Sequence, residues 1–153
     1  MKPWESGVVM IETLVTLPLV LVTILAAWQL AEVTVADLAV GWAARIAARS
    51  AAVHADDAGP TAERAAAQAM APLTQVLGAA PVVELALCMA EGTSTEPHDW
   101  PQLLADAHGA AAFEAVVHFD FPLRVPLAAA LFGGSPRTLT RTARFPVMYA
   151  PAK

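Results

Sequence analysis

Cysteine is almost missing from this chain: Cys88 is the only one in 153 residues. An intramolecular disulfide is therefore excluded, as is any zinc site built on several thiolates, and Cys88 itself is expected as a buried, inert thiol. Basic residues are also few. Nine Lys and Arg stand against fourteen Asp and Glu, a net charge of -5, so the clustered cations that phosphate recognition needs are lacking and nucleic acid is excluded as a partner. Charge of either sign is scarce, 15% against 57% hydrophobic residues, which moves the chain away from an ordinary soluble domain and toward a lipid bilayer. No glycine-rich phosphate loop is present, since Gly133-Gly134 follows an apolar turn and lacks the lysine such a loop uses. Ser50, Ser94 and Ser135 lie in no nucleophile-elbow context, so no enzyme activity and no cofactor are expected.

From Val8 to Ala31 charge is missing altogether except at Glu12. A helix over that run is about 36 Å long, enough to cross a bilayer. Pro18 lies inside it and should kink or locally open it. Removal by ordinary signal peptidase is a poor fit, because "AAWQLAEV" offers Gln29 or Leu25 where a small residue is needed. Glu12 is the informative residue. A carboxylate in hydrocarbon costs about 2.5–3.5 kcal/mol on insertion scales, so it either sits at the headgroups near the helix N-terminus or has a cationic partner from another chain.

Beyond the span, Val35, Leu38, Trp42, Ile46 and Val53 recur at helical spacing, with Arg45 and Arg49 projecting close to the same direction. This predicts a helix extension over 32–58, ended by Gly59 and Pro60, and a second alanine-rich helix from Pro60 to about Gly78. "PVVELALCMA" reads as a strand, with Val83, Leu85, Leu87 and Met89 facing one way and Glu84, Ala86 and Cys88 the other. "EGTSTEPHDWPQLLADAHG" reads as a loop carrying a short helix from Trp100 to His108. "FEAVVHFDF" alternates best: Phe113, Ala115, Val117, Phe119 and Phe121 oppose Glu114, Val116, His118 and Asp120. A last strand, "RTLTRTARFPVMY", places Thr138, Thr140 and Thr142 on the wet face and ends at a sheet edge at Pro146. The fold class expected is α+β, a long N-terminal helix on a sheet of about three antiparallel strands.

Four histidines suggest metal binding: His54 with Asp56 and Asp57, His98 with Asp99, His108, and His118 with Asp120. Strand alternation already accounts for His118 and Asp120 as solvent-facing, and no metal site is assigned. The connector "FPLRVPLAAALF" is too apolar for an ordinary surface loop. It either folds over the sheet as core or docks on the membrane surface or a neighbouring chain through Phe121, Leu123, Leu127 and Phe132. Among the tryptophans, Trp4 and Trp28 suit the two membrane interfaces, Trp42 the contact between helix and domain, and Trp100 a helix start.

A short polar leader ending in Gly7, four apolar residues and then Glu12 resemble the processing site of the type IV pilin superfamily. A strand ending in "HFDFPLRVPLAAALFGG", followed by "TLTRTARFPV", resembles the C-terminal region of TadE-like proteins. Together the two resemblances cover about residues 7–50 and 113–149. They imply a minor pilin or pseudopilin of the Flp (tight-adherence) pilus system, anchored in the bacterial inner membrane with its domain outside the cytoplasm. They further imply cleavage by prepilin peptidase between Gly7 and Val8, and pairing of Glu12 with a neighbouring subunit's amino terminus. The domains expected are a leader over 1–7, a transmembrane helix over 8–31, the helix extension over 32–58 and an α+β domain over 59–153. The implied partners are prepilin peptidase, other pilins of the same pilus, the inner-membrane assembly platform and the lipid bilayer. The other reading of the residues is an uncleaved single-pass protein whose extracytoplasmic domain binds a partner.

Overall fold

A computed structural model describes residues 3–89, 92–97, 99–106, 111–124 and 136–147. Helix α1, Pro3–Val53, is followed by a 3-10 turn at Ala55–Asp57, helix α2 at Ala58–Leu77, strands β1 (Val82–Met89) and β2 (Gly92–Ser94), helix α3 (Trp100–Asp106), and strands β3 (Ala112–Phe121) and β4 (Arg137–Pro146). The fold is α+β, with one four-stranded antiparallel sheet in the order β2-β1-β3-β4. The fourth strand is the addition to what periodicity showed. β2 is three residues long and pairs only with the end of β1, too short to carry an alternation of its own.

α1 is one continuous helix through Pro18. Its most apolar stretch is almost entirely free of the domain, and it is long and apolar enough to cross a membrane. The second half of α1 packs on α2 and on β3 and β4. It does so with small side chains: Ala36, Val40, Ala43, Ala44, Ala47, Ala48 and Ala51 are fully buried. Small residues let neighbouring elements approach the helix axis closely. The expected stripe faces the other way. Val35, Leu38, Trp42 and Val53 are exposed, Leu38 by 70%, and Ile46 is half-buried, so Trp42 is not a buried anchor between helix and domain but borders β4 beside Arg141 and Thr142. The correction has a simple cause, since Ala36, Ala43, Ala47 and Ala51 share the same helical spacing and their lack of bulk fits the narrow gap.

The helix extension also ends sooner than 58. His54 leaves helical geometry (φ -118°, ψ 60°), and Gly59 and Pro60 fall in the first turn of α2, where proline is tolerated. α2 then runs antiparallel to α1. Ser50 Oγ donates to Thr61 O (3.3 Å) at one end, while Val76 and Leu77 reach the level of Trp28 and Val35 at the other. Ala58, Ala62, Ala66 and Met70, four apart, form its buried face. It closes at Gly78, whose left-handed φ of 73° suits glycine, with Gly78 N–H donating to Thr74 O at 2.8 Å.

Strand alternation matches the sequence reading. Phe113, Ala115, Val117, Phe119 and Phe121 are buried, and Thr138, Thr140 and Thr142 are exposed opposite Asp120, His118 and Val116. Fully burying a phenylalanine contributes about 1.5–3 kcal/mol, so β3 is the main apolar contributor from the sheet. α3 begins at Trp100 as expected. Trp100 is 2% exposed and meets Phe113 edge to face at 5.1 Å. Cys88 lies on the outer face of β1 and is only half-buried, so it is not the core thiol expected; Glu114 and Thr93 flank it.

Candidate functional site

Gly7 and Val8 belong to the first turns of α1, and Glu12 follows on the same helix with its side chain exposed. Its neighbours on the span, Met10, Leu14, Val15, Leu17 and Leu19, are exposed as well, each by more than 60%. Glu12 is therefore a lone carboxylate on an otherwise apolar outward surface, and any compensating cation has to come from outside the described residues. The helix N-terminus lies fewer than three turns away, too far for its dipole to act strongly on the carboxylate, because that effect fades within the first turn.

The connector divides. Phe121 (2% exposed) and Leu123 (8%) pack inward, as the reading of the connector as core expects: Phe121 ends the inward face of β3 and Leu123 continues it past the last paired residue. Leu127 and Phe132 lie outside the described residues. The chain leaves the described part at Arg124 and returns at Pro136, next to the Phe121–Arg137 pair, so both flanks lie at the same end of the sheet.

That end is organised by a residue the sequence did not mark as important. Gln29 of α1 is 1% exposed, and its Oε1 accepts the backbone N–H of Arg124 at 3.1 Å. Its Nε2 donates to Glu32 Oε2 (3.2 Å), and Trp28 Nε1 donates to Glu32 Oε1 (2.8 Å). Arg124 in turn reaches Val76 O near the end of α2 at 3.4 Å, where a cation also complements the helix dipole. α1, α2 and the exit of β3 are thus tied together around Gln29 and Arg124. Beside them opens an apolar cleft of about 290 Å³ lined by Trp28, Ala31, Val35, Leu73, Val76 and Phe121, with Glu32 the one charged member among the described residues. No periodicity announces a single buried glutamine; the only sequence signal is a polar residue at the end of an apolar run.

Arg141 of β4, opposite Val117 on the helix-facing side of the sheet, pairs with Asp37 of α1, and on the outer side Arg144 pairs with Glu114 across β3 and β4. Each carboxylate holds its guanidinium above the usual arginine range, chiefly through the hydrogen bond and then through charge attraction. Both arginines are exposed, so these pairs fix geometry more than they stabilise. His118 and Asp120 take separate partners. His118 Nδ1 lies 2.9 Å from Thr140 Oγ1 and its Nε2 3.8 Å from Glu84, while Asp120 Oδ1 accepts from Thr138 at 2.6 Å. Among the described residues no three His, Cys, Asp or Glu side chains come together as a metal-binding set. The outer sheet face is therefore a cross-strand polar ladder, which needs no ligand to satisfy it. Compared with family models, with curated proteins and with solved structures, the chain matches none.

Proposed function

We propose that this chain is a minor pilin or pseudopilin of a Flp-type (tight-adherence) pilus system, held in the inner membrane by α1 with its α+β domain outside the cytoplasm. The observation that carries the reading is Glu12: a solitary exposed carboxylate on an apolar helix long enough to span a membrane, at the fifth position after Gly7. Cutting between Gly7 and Val8 would create a free amino terminus, the cation that Glu12 lacks within its own helix. Pairing the two between subunits would offset the insertion cost of about 2.5–3.5 kcal/mol and fix the register of neighbouring helices. The exposed side of α1 beyond the span, with Val35, Leu38 and Trp42, supports packing against other chains, since single exposed apolar residues are ordinary but a contiguous row of them is not.

Two measurements test this separately. Mass spectrometry of the membrane protein is expected to find an N-terminus at Val8; a chain still beginning at Met1 overturns the processing step and favours an uncleaved single-pass anchor with a partner-binding domain. Glu12→Ala is expected to leave the domain folded and membrane-bound while impairing assembly of pili. Normal piliation in that variant sinks the pairing mechanism.

A further inference from the structure

The Gln29 cluster lies at a particular level of the molecule. Trp28 and Ala31 close the apolar run of α1, so the cleft they line opens where a membrane-embedded helix would leave the hydrocarbon. α2 runs down beside α1 to this level and ends there with Val76 68% exposed, next to Trp28 at 67% and above Leu25 at 43%. The lining of the cleft is thus continuous with the outward apolar surface of the span. The last turn of α2 is divided: Thr74 and Gln75 are its polar members, and Leu73, Val76 and Leu77 face the cleft.

The polar groups around the cleft are arranged by sign. Glu32, the only carboxylate lining it among the described residues, has both oxygens engaged, one by the Trp28 indole and one by the Gln29 amide. Arg124 stands at the rim, exposed, with one guanidinium nitrogen 3.4 Å from Val76 O, which leaves donors directed to the surroundings. A cation above an apolar cleft at bilayer level matches one chemistry: a phosphate above an acyl chain.

We propose that this end of the domain is a phospholipid site. An acyl chain of the bilayer enters the cleft between Trp28, Val35, Leu73 and Val76, the Arg124 guanidinium takes the lipid phosphate, and the tip of α2 is seated in the headgroup layer. The site rests on the membrane reading of α1 and is independent of the pilin reading. Its consequence is that the domain is docked on the bilayer by two points, the span and the α2 tip, instead of swinging from one.

The test uses the full chain with Cys88→Ser, reconstituted in vesicles of phosphatidylglycerol and phosphatidylcholine, with a nitroxide on a single cysteine placed at position 76, 20 or 93. Position 76 is expected to collide more with oxygen than with a water-soluble nickel chelate, as position 20 in the span does, while position 93 on the far strand shows the reverse. If 76 reads as aqueous while 20 reads as embedded, the lipid site is overturned and the membrane anchor stands. If both read as aqueous, the anchor fails and the site with it. In parallel, the detergent-solubilised chain titrated with phosphatidylglycerol is expected to retain the lipid in native mass spectrometry. Arg124→Glu should weaken retention by about tenfold or more and Arg124→Gln by less, following the usual value of one basic residue at an anionic surface. Equal retention by all three proteins refutes the phosphate contact, and Arg124→Gln keeps the comparison open if charge reversal disturbs folding.

Discussion

Replacing Gln29 by leucine tests how the domain is fastened to its helix. The side chains are close in size, so packing is largely kept while the amide is lost. Two consequences oppose each other. The backbone N–H of Arg124 loses its 3.1 Å acceptor in a buried setting, a loss worth about 1–3 kcal/mol, and Glu32 loses the 3.2 Å donor on its second oxygen. Against this, a leucine at a position only 1% exposed no longer has an amide to desolvate, a gain of about 1 kcal/mol. The net expectation is a destabilisation of about 1–2 kcal/mol, or roughly 4–8 °C in the melting temperature of a domain of this size. Near-UV circular dichroism in detergent reads the global effect. Amide hydrogen exchange at Arg124 reads the local one, and its protection should fall about tenfold, since 1.4 kcal/mol corresponds to that factor. Unchanged protection at Arg124 would refute the claim that Gln29 holds the exit of β3.

Gly41→Ala is expected to stabilise the protein by about 0.5–1 kcal/mol in thermal melts, because glycine weakens a helix interior and the new methyl would meet only Arg141 Cγ at an ordinary 3.8 Å; a loss of stability would mean that Arg141 cannot yield. Trp100 Nε1 is buried with no acceptor among the described residues, so Trp100→Phe, which keeps an aromatic ring against Phe113 and removes that donor, should be within about 1.5 kcal/mol of wild type in denaturant titrations. Trp100→Ala, which empties the site, should cost about 3–5 kcal/mol. Similar losses in both would show that the indole makes a contact its ring edge alone does not explain.

The strands were legible in the sequence because side-chain direction in a strand alternates residue by residue, so burial is written directly into β3 from Phe113 to Phe121. The same alternation already placed Cys88 beside Glu84 and Ala86 on the wet face, and it outweighs the general tendency of free cysteine to be buried. The long helix was legible as an element, but its orientation was not. Val35, Leu38 and Trp42 give the stronger hydrophobic signal, yet close approach of the sheet selects for small volume, and alanine scores weakly on any scale built from transfer energy. β2 escaped notice because three residues, one of them Gly92, cannot show a period. Gln29 escaped for a different reason: its partner, the backbone of Arg124, is distant in sequence, and a backbone N–H leaves no trace in residue identity. The role proposed for Glu12 rests on the resemblance of its spacing from Gly7 to a pilin processing site, whereas the cleft beside Trp28 depends on α2 descending along α1, which no local pattern encodes.

The division of α1 into a lean inner side and a bulky outer one predicts an unusual profile of tolerance to substitution. In a library selected only for folded, membrane-inserted protein, Ala43, Ala44, Ala47 and Ala48 should accept almost nothing, since every replacement except glycine adds volume to a closed gap. Val35, Leu38 and Trp42, the larger residues, should drift freely. On the pilin reading, a second selection for assembly would restore constraint at Leu38 and Trp42 as well as at Glu12, so the difference between the two profiles would trace the contacts proposed between α1 and other chains.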